Sequence, residues 1–68
     1  MYVIQEIQTT GDNIGITPAI VKADKKEADS VFYMALGAAA ISAVPVHAVV
    51  MFDEHGNVEK TGFYEHRN

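Results

Sequence analysis

A chain of 68 residues without cysteine has neither disulfides nor thiolate metal sites to support it. With a formal charge of −4 it also lacks the clustered Lys and Arg of an ordinary nucleic-acid binder. A domain this short buries only ~60% of the surface its unfolded form exposes, so association is the simplest remaining source of buried area. The opening residues Met1 to Glu6 lack the basic segment and apolar core of a signal peptide, and the expected compartment is cytoplasmic.

Residues 1–68 read as one α+β domain. Tyr2 to Thr9 is rich in β-branched and aromatic residues and predicts a first strand, and "TGDN" after it is turn chemistry. Ile14 to Lys22 predicts the partner strand of a hairpin. Pro18 has no N–H to donate, which makes this segment an edge or broken strand. Asp24 followed by Glu27 is a capping-box variant that starts a helix. Its apolar face runs through Ala28, Val31, Phe32, Ala35, Ala38, Ala39 and Ser42. Gly37, set among alanines, suggests a close backbone approach. The helix is expected to end near Ser42 to Ala43, ahead of Pro45.

The run from Ser30 to Phe52 carries no Asp, Glu, Lys or Arg and is long enough on count to cross a membrane. Pro45 argues against that, because it removes a donor and pushes Val44 toward extended geometry. The composition also changes there, from alanine-rich to β-branched, so the run reads as a helix followed by a strand. Strands are predicted over Val46 to Phe52 and Val58 to Tyr64, joined by the "DEHGN" turn. The whole order, ββαββ, fits a four-stranded antiparallel sheet of spatial order 2-1-3-4 with the helix on one face.

The block "AAAISAVPVHAVV" (Ala38 to Val50) and the ending "FYEHRN" resemble small uncharacterised proteins encoded by bacterial phages and prophages. The opening "YVIQEIQTT", the Asp-Lys-Lys-Glu-Ala helix start and the Ser-x-Val-Pro-x-His junction are similar to the same group. This resemblance implies a phage accessory or interaction protein and supplies no catalytic or binding residues.

The chemistry-bearing candidates are few. His47, on a strand otherwise of Val, Ala, Met and Phe, could act as a base or ligand. The simpler reading is a half-buried ring bonded to a neighbour. Tyr64 and His66 are weaker candidates. Glu65 and His66, adjacent on a strand, point to opposite faces and do not form a dyad. The histidines lie in three separate segments without local ligand spacing, so neither metal nor any other cofactor is expected. No Gly-x-Ser-x-Gly elbow or P-loop occurs, and no catalytic residue is assigned.

The strand after Pro45 is apolar on both sides, and one helix covers one face. Val46, Ala48, Val50 and Phe52 are expected under the helix. His47, Val49, Met51 and Phe63 are then expected on an open face that forms a homodimer or higher oligomer. The function expected is that of a non-enzymatic interaction protein, with no nucleic-acid or membrane partner. The alternative is a small dimeric enzyme or ligand-binding protein with a pocket near His47.

Overall fold

The computed structural model describes residues 1–66. One helix, α1 (Lys25–Ala40), lies on an antiparallel sheet of five strands. These are β1 (Tyr2–Thr10), β2 (Asn13–Ile16), β3 (Ile20–Lys22), β4 (Val46–Asp53) and β5 (Val58–Glu65), in the order β2-β1-β4-β5, with β3 also paired to β1. The α+β class and the single helix are as the sequence indicates. The strand count is not, because the second predicted strand is two.

Pro18 divides it. β2 pairs with the far half of β1 (Ile7 opposite Ile16) and β3 with the near half (Ile4 opposite Ile20). Thr17 repairs the ladder between them. Its hydroxyl accepts from the Glu6 N–H (3.0 Å), and its own N–H donates to the Glu6 carbonyl (2.9 Å). The backbone of Glu6 is thereby fixed at the break, since a buried main-chain group left unpaired would be costly.

Turn chemistry closes both hairpins. Gly11, at φ 59, is the first residue of the two-residue β1–β2 turn, a position that demands positive φ. Between β4 and β5, Gly56 takes φ 84 and the Asp53 carboxylate accepts the N–H groups of His55 (2.8 Å) and Asn57 (2.9 Å). The helix starts where expected. Asp24 is the N-cap and accepts from the Lys26 N–H at 3.4 Å, and Ile41 is the C-cap.

The helix covers the other face of β4 from the one expected. His47, Val49 and Met51 are buried, and with Ile4, Ala28 and Phe32 they form the core. Val46, Ala48, Val50 and Phe52 lie on the open side. Register explains part of the difference. Met51 is opposite Lys60 but Phe52 is opposite Val58, which leaves Glu59 as an extra residue on β5. Without that bulge Phe63 would sit opposite His47; with it, Phe63 is opposite Ala48 and Gly62 is opposite Val49. A Cβ on Gly62 would lie 2.9 Å from one Leu36 methyl and 3.2 Å from Phe32 Cζ. The close approach is therefore at Gly62, whereas Gly37 has nothing near it. Lys60 ties the same strand to the helix through Asp29 (2.9 Å), with its ammonium 4.8 Å from the Tyr33 ring centre.

Candidate functional site

The open face is built in rows by the strand register. Ile16, Ile7, Ala48 and Phe63 stand side by side across β2, β1, β4 and β5. On one side of that row come Ile14, Thr9, Val46 and Glu65. On the other come Gln5, Val50 and Thr61, then Val21, Val3, Phe52 and Val58. Ile14 is 70% exposed, and Ile16 and Phe63 are each 63% exposed. Glu65 is the one charged side chain in these rows. Strands of eight and nine residues, at ~3.4 Å per residue and ~4.8 Å between strands, give a face of roughly 19 by 29 Å. That is about 550 Å² in projection, at the upper end of the largest patch carried by a typical monomer.

The covered face holds the polar cluster. Alternation along β1 puts Tyr2, Ile4, Glu6 and Gln8 on the helix side, and Gln8 is opposite His47. The carboxylate of Glu6, whose backbone the Thr17 repair holds, pairs with His47 Nδ1. A carboxylate only accepts, so Nδ1 carries the proton. His47 Nε2 is buried and has no partner. Tyr64 is directly across from His47. His66 continues β5, its N–H bonded to the Pro45 carbonyl (2.8 Å), and its ring Nε2 donates to the Ala39 carbonyl (2.8 Å) at the end of the helix. The His47 and His66 ring centres are 6.1 Å apart, and those of Tyr64 and His66 are 5.0 Å apart.

A cleft of about 350 Å³ opens between β1, the Thr17–Pro18 break and the helix, walled by Ile4, Ile20, Val31 and Ala35. Glu6 is the one ionisable side chain lining it, and His47 is not part of the lining. This cleft therefore does not bring His47 together with Tyr64 or His66, none of which lines it.

Among the sequence candidates, the structure brings His47, Tyr64 and His66 together. It separates His47, Val49 and Met51, which are inside, from Phe63, which is outside. Glu6 was not singled out by sequence. Its signal was its being the lone charged residue of an otherwise uncharged strand. Among the described residues no group of three or more His, Cys, Asp or Glu is placed to hold a metal ion. No helix among them is long and apolar enough to cross a membrane. Comparison of the chain with protein-family models, with curated proteins and with solved structures gives no match.

Proposed function

We propose that this chain is a non-enzymatic interaction protein that works as a homo-oligomer, built by pairing the open sheet face with that of a second copy. The observation that carries the reading is the central row Ile16, Ile7, Ala48 and Phe63, apolar across all four strands. A nearly uncharged face offers a charged partner nothing to complement, but it matches itself under a two-fold axis. Its size is on the scale of the ~800 Å² per partner that a standard interface buries. Two such sheets packed face to face, ~10 Å apart, form the sandwich that a single sheet with one bare side lacks. The small interior supports the same reading, since its buried hydrophobic residues are Ile4, Ala28, Phe32, Ala39, Val49 and Met51, two of them alanines. An accessory role of the kind the phage resemblance implies fits an assembly of this type.

Light scattering coupled to gel filtration at micromolar concentration tests it. The wild type is expected to run as a dimer or larger. Ile16→Lys and Phe63→Lys, both at exposed positions, are expected to shift it to monomer while keeping the far-UV circular dichroism. A monomeric wild type, or variants that stay assembled, refutes the reading.

A further inference from the structure

We propose that the cleft beside Glu6 binds a small organic ammonium, a primary amine whose charged end meets the Glu6 carboxylate and whose apolar body lies along the cleft wall. The site goes beyond the self-pairing reading and does not depend on it, since none of the central row Ile16, Ile7, Ala48 and Phe63 lines the cleft.

The break at Pro18 makes the cleft. A continuous second strand would close the sheet edge beside Glu6, whereas β2 ends at Ile16 and β3 begins at Ile20. The gap leaves about 350 Å³ between that edge and the helix, near the lower end of the ~300–1,000 Å³ of small-molecule pockets. Its walls are apolar, with Ile4 and Ile20 from the sheet and Val31 and Ala35, one turn apart, from the helix. Ile20 stays 46% exposed although it is paired with the buried Ile4, so a ligand has apolar surface to cover.

The polar groups decide the charge of the ligand. Thr17 spends its hydroxyl on the Glu6 backbone, and the Gln5 amide donates to the Thr17 carbonyl (3.3 Å). Glu6 is different. Its Oε2 accepts from His47 Nδ1, whereas Oε1 has no partner among the described residues. The bond to His47 does not cancel the charge. His47 Nε2 is buried without an acceptor, so the ring holds a single proton, on Nδ1. The Glu6 side chain keeps 16% exposure, and no Lys or Arg lines the cleft. A carboxylate so placed lacks a counter-charge, and an ammonium supplies both the charge and the N–H donors.

The same inventory excludes other ligands. A metal ion would find one carboxylate and no second His, Asp or Glu on the wall. A carboxylic acid would be repelled, and a neutral molecule would leave Glu6 unpaired. The apolar wall selects the rest of the ligand, a single aromatic ring or a short alkyl chain.

NMR titration of the full chain with 2-phenylethylamine tests the site. Saturable shifts are expected at Ile4, Thr17, Ile20 and Val31, with a Kd on the order of 0.1 mM for a ligand of about nine heavy atoms. 2-Phenylethanol, similar in shape but uncharged, should bind at least ~10-fold more weakly, and 3-phenylpropionate should not bind. Glu6→Gln keeps an acceptor for His47 and should remove the preference for amine over alcohol. Ala35→Leu fills the cleft from the helix and should abolish binding while the far-UV circular dichroism is kept. Phe63→Lys, on the far strand, should leave the affinity unchanged. The proposal is overturned by a wild type without saturable shifts, by equal affinity for amine and alcohol, or by binding that survives Ala35→Leu. Binding lost in Phe63→Lys also overturns it, because the ligand would then sit in the assembly interface.

Discussion

Gly62→Ala places one methyl group where the helix meets β5. The new Cβ would lie 2.9 and 3.0 Å from the two Leu36 methyls and 3.2 Å from Phe32 Cζ. Leu36 is only partly buried and its end can turn aside, whereas Phe32 is fully buried and cannot. Overpacking of this kind costs ~1–3 kcal/mol. Gly62 has no positive φ, so the smaller entropy of the unfolded alanine chain offsets ~0.4–1 kcal/mol. The net loss is about 1–2 kcal/mol, and at ~4–8 °C per kcal/mol for a domain of this size the Tm falls by about 5–15 °C. Melting followed by circular dichroism at one fixed protein concentration measures it, since assembly makes Tm concentration-dependent. Adding Leu36→Ala should relieve the clash, so that the double variant loses less than the two singles together, by at least ~0.5 kcal/mol. A Gly62→Ala protein that melts at or above wild type, or strict additivity with Leu36→Ala, would refute the reasoning.

Two further outcomes follow from the polar contacts. Glu6→Leu leaves the buried Nδ1–H of His47 without an acceptor and should cost ~1–3 kcal/mol, the penalty for a stranded buried donor. Urea unfolding measures it, and pairing the change with His47→Phe should restore much of the loss. At the β4–β5 turn, the Asp53 carboxyl is held below its ordinary value of 3.8, chiefly by the backbone N–H of Asn57. Its contribution is therefore complete above 3.8 and disappears as pH falls through the lower folded value. The stability difference between wild type and Asp53→Ala should stay constant near neutrality and shrink only in strong acid, as thermal melts across the acid range would show.

Local chemistry was legible in the residues. Asp24 marked the helix start, Gly11 and Gly56 lie in the turns read from their flanks, and Pro18 signalled a damaged strand. Even the existence of a bare apolar face could be read, from the two-sided apolar character of β4. Its identity could not. That depended on Glu59, whose bulge nothing in "NVEKTG" announces. It depended also on a hydrogen bond between residues 41 positions apart, Glu6 and His47, which lets a histidine sit beneath a helix. Both are outcomes of pairing between strands, and periodicity within one strand carries no record of them.

The bulge at Glu59 also constrains how this chain can change over generations. Glu59 is the surplus residue, so its deletion would leave a regular ladder, Val58 opposite Phe52 and Lys60 opposite Met51, with every later residue of β5 on its present side. Phe63 would stay on the open face and Gly62 against Phe32 and Leu36, where only a glycine fits. The bulge thus holds in reserve one residue that the hairpin can lose without turning its strand over. Descendants of this chain should therefore include some that lack a residue at position 59 yet keep a glycine at 62 and an apolar residue at 63.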